Sequence, residues 1–150
     1  MNKKILKFSL FSAGLAVVLG LGIATYMFYK PQRNIANEKA SFILTAGELY
    51  KEFSTNETQA NQKYLSDKNG KIIQLSGTVS EIIAQADTAV SITITDAEMK
   101  VGDILCSIGK NDVSKAAKFK AGDKIVVKGE CTGYMDLTNE VSLSKCVIVE

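Results

Sequence analysis

The hydrophobic pattern of this chain changes period at Gly70, from about 3.6 residues before it to 2 after it. That change dictates a helix followed by a sheet. Leu49, Phe53, Ala60 and Tyr64 fall on one helical stripe flanked by Tyr50, with Asn56 as its polar break. Thr45 and Glu48 stand at capping-box spacing, and Leu44 and Leu49 occupy the N′ and N4 positions of a hydrophobic staple. The helix therefore starts at Thr45, and it ends before Asp67-Lys68-Asn69-Gly70, a turn by composition. Beyond the turn, Ile73, Leu75, Gly77 and Val79 alternate with Gln74, Ser76, Thr78 and Ser80, as in a half-buried strand. Val90, Ile92 and Ile94 mark a second strand, and Ile104, Cys106 and Ile108 a third. Val113 to Phe119 suits a short helix, and Gly122-Asp123 a turn. Ile125, Val127, Gly129 and Cys131 then form a fourth strand, and Val141 to Val149 a fifth.

Three strands, a short helix and two strands is the order of the OB fold, a five-stranded Greek-key barrel. A β-sandwich would need about seven strands. Gly77 and Gly129 lie mid-strand, where a missing side chain permits the sharp bends that a small closed barrel requires. The expected class is mainly β with an N-terminal helix, an OB barrel preceded by a single transmembrane helix.

The transmembrane expectation rests on Phe8 to Tyr29, a run of 22 residues without a charge. As a helix it spans about 33 Å, enough for a hydrocarbon core of roughly 30 Å. Lys3, Lys4 and Lys7 precede it, and Tyr26, Phe28 and Tyr29 close it with an aromatic belt. A cleaved signal peptide has a shorter apolar core and ends in a small-x-small site. Tyr26-Met27-Phe28-Tyr29 does not fit that pattern, and no cysteine stands nearby to accept a lipid. The reading is a retained single-pass anchor in a bacterial inner membrane, with a cleaved signal as the alternative. Three lysines before the span, against Lys30 and Arg33 after it, favour an extracytoplasmic body. Ser12, Ala16, Gly20 and Ala24 line one helix face and offer a surface for a homodimer, although small residues are also simply common in membrane helices. Pro31 to Ser41 is polar and aperiodic, and reads as a tether. The division is thus a basic tail at 1–7, an anchor at 8–29, a linker at 30–41, and helix plus barrel at 42–150.

Charge divides along the same line. Residues 1–40 hold six Lys/Arg and one Glu, net +5, whereas residues 41–150 hold twelve Lys/Arg and fifteen Asp/Glu, net −3. A mildly acidic body counts against strong capture of nucleic acid. His is absent, which excludes triads that use it. Cys106, Cys131 and Cys146 are too scattered for a zinc site, and no Gly-rich phosphate loop is present. Asp96, Glu98 and Asp103 lie near one loop and read as solvated charges. No enzymatic activity, metal or cofactor is expected.

The helix carries Glu48-Leu49-Tyr50-Lys51-Glu52-Phe53, then Asn56-Glu57, then Ala60-Asn61-x-Lys63-Tyr64. The fourth strand carries Lys128-Gly129-Glu130-Cys131-Thr132-Gly133, and the last Leu143-Ser144-Lys145-Cys146-Val147-Ile148. This pattern resembles the tRNA-anti-like family of small bacterial OB-fold proteins, often exported or membrane-anchored, over about residues 43–149. The resemblance implies an OB barrel preceded by a helix. It supplies no catalytic residue, and the family's name records only a likeness to anticodon-binding domains.

Two surfaces are candidates for binding. The outward positions of the first three strands, among them Gln74, Thr78, Ser91 and Thr93, form a face with no aromatic and no Lys or Arg. Such a face suits a neutral polar ligand, or it is an ordinary solvated sheet. The second is a basic region of Lys110, Lys115, Lys118, Lys120, Lys124 and Lys128, diluted by Asp112 and Asp123, with Lys115, Lys118 and Lys120 at its centre. It reads as a solvated face, with anionic headgroups or a nucleic-acid backbone as the functional alternative. A hairpin turn at Thr138-Asn139 would set Cys131 opposite Cys146, within bridging distance. Other pairings, and three free thiols, stay open. The expected function is a non-enzymatic, membrane-anchored binding or interaction module whose partner is a protein or polar ligand. A nucleic-acid-binding OB protein is the alternative.

Overall fold

A computed structural model describes residues 18–26, 33–65, 70–86 and 89–149. The chain divides into two units, Met1–Arg33 and Asn34–Glu150. In the first, residues 18–26 are helical and exposed throughout. Among the described residues no helix is long and apolar enough to cross a membrane. Residues 1–7, most of the expected anchor including Ser12 and Ala16, and the Asp67-Lys68-Asn69 turn lie outside them.

The second unit is a barrel carrying helices. Its elements are β1 (Phe42–Thr45), α1 (Ala46–Thr55), α2 (Glu57–Tyr64), β2 (Ile72–Ala86), β3 (Ala89–Thr95) and β4 (Asp103–Ile108), then α3 (Val113–Ala116), β5 (Lys124–Met135) and β6 (Glu140–Ile148). Strands β2, β3, β4, β6 and β5 follow one another around the sheet, and β5 pairs back onto β2, closing a five-stranded barrel. The β4–β6 pair is parallel and the other barrel pairs are antiparallel. This is the expected OB topology.

The helix start is as its local signals require. Thr45 Oγ1 accepts from Glu48 N at 3.2 Å while Glu48 Oε2 accepts from Thr45 N at 2.8 Å. Ala46, Leu49 and Phe53 of α1 join Ile73, Leu75, Ile94 and Ile104 of the barrel in one core. One helix was expected through Tyr64, and two are found. Asn56 leaves helical geometry at φ −154°, and its Oδ1 accepts Gln59 N at 3.1 Å, starting a new helix. Across the break, Glu52 accepts from Lys63 Nζ at 2.9 and 2.8 Å and from Tyr64 Oη at 3.0 Å.

Three further departures have local causes. First, β1 is a sixth strand, parallel to β2 and outside the closed barrel, where only the lead-in to the helix was expected. Second, β2 runs to Ala86 rather than stopping near Ser80, because a bulge between Val79 and Glu81 resets the alternation. Ile82 then pairs with the inward Ile92. Third, the segment expected as a tether is packed from Asn34 onward. Ile35 is 2% exposed, and Lys128 Nζ donates to the carbonyls of Ala36 and Glu38, each at 2.8 Å.

The β5–β6 hairpin corrects the cysteine geometry. Its connection is the four residues Asp136–Asn139, with Asn139 at φ 54°, not a two-residue turn. Together with bulges in the pair, this sets Cys131 opposite Leu143. Cys146 instead lies beneath Gly129, where a Cβ would collide with its Sγ. All three cysteines are buried and free.

Candidate functional site

The outward strand face differs from its expected character in two ways. Ser91 and Thr93 are only 3% and 7% exposed, overlaid by neighbours on a tightly curved sheet. Ser91 pairs with Ile83 and Ser107, and Thr93 with Glu81 and Leu105. Gln74 and Thr78 lie elsewhere, on the half of β2 that pairs with β5, where Lys124 Nζ donates to Thr78 Oγ1 at 3.0 Å. The four residues therefore do not converge on one open surface. The second difference is charge. Asp103 stands opposite Glu140, and its carboxyl is pushed above the ordinary carboxylate range by burial, then by Glu140, then by Glu81. The face where an OB barrel stacks bases carries Glu81, Asp103 and Glu140 here, and its paired strand positions among the described residues include no ring.

The basic region is better organised. α3 is tied to the barrel by Asp112, 8% exposed, whose Oδ2 accepts Ile148 N at 3.2 Å. Its Oδ1 lies 3.4 Å from Lys115 Nζ and orients that side chain. The chain then turns into β5 through Asp123, whose Oδ2 accepts Lys120 N at 2.8 Å. Between α3, this turn and the end of β6 is a cavity of about 430 Å³. Lys115, Lys118 and Lys124 surround it with Asp123 at the rim, and Phe119, Ile148 and Val149 supply its apolar wall. A second cavity of about 450 Å³ shares Phe119, Lys124 and Val149 and adds Thr45, Ser76 and Asp96. Both fall within the size range of small-ligand sites.

Of the basic residues singled out in sequence, Lys115 and Lys118 enter this groove and Lys120 does not. Lys124, named with the same basic region, also lines it. Phe119 is the residue that the charge pattern misses, although Lys115, Lys118 and Phe119 stand at i, i+3 and i+4 and share a helical face. Among the described residues no group of three or more His, Cys, Asp or Glu is placed to hold a metal ion.

The sequence profile of the tRNA-anti-like family matches residues 1–147. The chain belongs to the tRNA-anti-like family. No curated protein matches it. Among solved structures, this tRNA-anti-like chain is similar to a candidate nucleic acid-binding lipoprotein from Klebsiella pneumoniae. The TM-score is 0.57 at 16% identity, over 71% of this chain and 91% of that one. At that identity the likeness establishes the fold. Shorter matches include Entamoeba histolytica asparaginyl-tRNA synthetase, with TM-score 0.41 and 12% identity over 57% of this chain and 22% of that one. Another is the Stn1–Ten1 complex of S. pombe, with TM-score 0.39 and 16% identity over 53% of this chain and 58% of that one. A tRNA-anti-like barrel is a fold that nucleic-acid binders use, so the expectation that nucleic acid is not a partner fits it poorly. Nothing in the geometry rules nucleic acid out.

Proposed function

We propose that this protein is a non-enzymatic OB-fold binding module, held by residues 8–29 at the extracytoplasmic face of a bacterial inner membrane. The groove around Phe119 is the observation that carries the binding half of this reading. It combines oriented ammonium groups with an apolar wall, whereas the usual strand platform is acidic and partly closed. The anchor half is supported by the uncharged run and by helix 18–26, where Val18, Leu19, Leu21 and Ile23 are all more than half exposed. Thr25 Oγ1 there donates to the carbonyls of Leu21 at 2.8 Å and Gly22 at 3.0 Å, satisfying its hydroxyl within the helix as lipid demands. The lysines at positions 3, 4 and 7 support the orientation.

Protease added to spheroplasts tests the arrangement. The body beyond about Lys30 should be removed while a membrane-held fragment stays. Protection of the body contradicts the orientation, and a mature N-terminus after Tyr29 contradicts the retained anchor.

A second reading, binding of single-stranded nucleic acid, is favoured by the family fold and by the run Lys110, Lys115, Lys118, Lys120, Lys124 and Lys128. Titration of the full chain in detergent with labelled oligonucleotides at two salt concentrations decides it. Micromolar affinity that falls steeply with salt and is lost in Lys115→Glu/Lys118→Glu would establish this second reading.

A further inference from the structure

The two cavities at the α3–β5 end adjoin, sharing Phe119, Lys124 and Val149, and together make the groove. Its ends differ in chemistry. One end has Lys115 and Lys118 with Asp123 at the rim, and the other has Asp96 with the hydroxyl-bearing Thr45 and Ser76. The half-buried Phe119 ring lies between them. We propose that this groove binds a small organic phosphate of the nucleoside monophosphate class. The phosphate sits among Lys115, Lys118 and Lys124, the planar body rests on Phe119, and hydroxyl or amino donors of the body reach Asp96.

Each part of such a ligand has a counterpart in the groove. A phosphate monoester carries close to two negative charges near neutrality and accepts several hydrogen bonds at once. Two of the ammonium groups are already positioned, Lys115 by Asp112 at 3.4 Å and Lys124 by Thr78 Oγ1 at 3.0 Å, so less side-chain entropy is lost when an anion arrives. A ring at the junction, with Ile148 and Val149 beside it, favours a ligand with a flat apolar surface over inorganic phosphate alone. The carboxylate at the far end is the specificity element. It rewards a hydroxyl or amino donor on the body of the ligand. The groove is also distinct from the face of β2, β3 and β4, where Glu81 and Asp103 would oppose an anion.

This inference rests on the binding-module reading but can fail separately from it. Calorimetric titration of the full-length chain in detergent would use adenosine monophosphate, adenosine, inorganic phosphate and a single-stranded oligonucleotide as probes. The monophosphate should bind more tightly than adenosine or phosphate alone. Lys118→Glu and Lys124→Gln, two surface changes, should each weaken it at least about tenfold, the effect of losing about 1.4 kcal/mol of contact. Phe119→Ala should weaken the monophosphate while leaving inorganic phosphate unchanged. Asp96→Asn should weaken the monophosphate while leaving inorganic phosphate unchanged. Circular dichroism of each variant guards against loss of fold. The inference is overturned if no monophosphate binds at millimolar concentration, or if binding is indifferent to Lys118 and Lys124. It is equally overturned if the oligonucleotide alone binds in the groove, which supports the second reading instead. A partner crosslinked from position 120 together with no monophosphate binding would refute the ligand class while leaving the binding module intact.

Discussion

Thr45 and Gly129 show at single-residue scale how little tolerance the barrel leaves. Thr45 supplies the acceptor for an otherwise orphaned helix N–H while its own N–H is held by Glu48. Thr45→Ala should cost about 0.5–2 kcal/mol, read as a lower denaturation midpoint at unchanged slope. An unchanged midpoint would mean that the cap contributes nothing. Gly129 is glycine because the Cys146 thiol occupies the space where its Cβ would stand. Gly129→Ala should therefore destabilise by about 1–3 kcal/mol through overpacking. Adding Cys146→Ala should recover part of that loss, so the double variant is more stable than the sum of the singles predicts. Strict additivity would show that the two residues do not meet. Both effects reach function indirectly, since β5 and β6 carry Lys124 and Ile148 into the groove.

At the scale of elements, repulsion on the strand face makes a prediction of definite sign. The Asp103 carboxyl is raised by burial and by Glu140 and Glu81, so the folded state holds its proton more tightly than the unfolded chain. The stability linked to that proton is present below the ordinary Asp range and is lost as pH rises through the raised value. Asp103→Asn should accordingly raise the denaturation midpoint near pH 7, and the gain should vanish toward pH 3. A gain that persists in acid would place its origin in packing rather than charge. The same scale shows what was legible in sequence. Capping box, staple and alternation gave α1 and five barrel strands, because each writes its own period or spacing into a few residues. β1 was hidden because four residues in a parallel pairing carry no measurable period. The end of β2 was hidden by the bulge after Val79, and the register of Cys131 by bulges and a longer turn. Asn56 was seen as a polar break in a stripe, but a side chain that caps the next helix is visible only once the backbone has turned. The site followed the same rule. Lys115, Lys118 and Lys124 were legible as local charge, whereas Val149 and Asp96 join Phe119 in the groove only through closure of the barrel.

The whole molecule combines an apolar N-terminal segment, a closed barrel and a groove away from the surface that OB folds commonly use. Its net charge of −3 over residues 41–150 gives no general attraction to phosphates, so any anion must be recognised locally, by the lysines at the α3–β5 end. The barrel is expected to act through this groove and not through its strand face. A photoreactive residue at position 120, beside the groove lysines but outside its lining, or at position 107, introduced one site at a time in the full-length protein in its own membrane, tests this most directly. Ser107 is the exposed control on the strand face. A crosslinked species should form at position 120 and disappear when Lys124→Glu is added, and none should form at position 107. A species at position 107 and not at 120 would show that the strand face is the working surface.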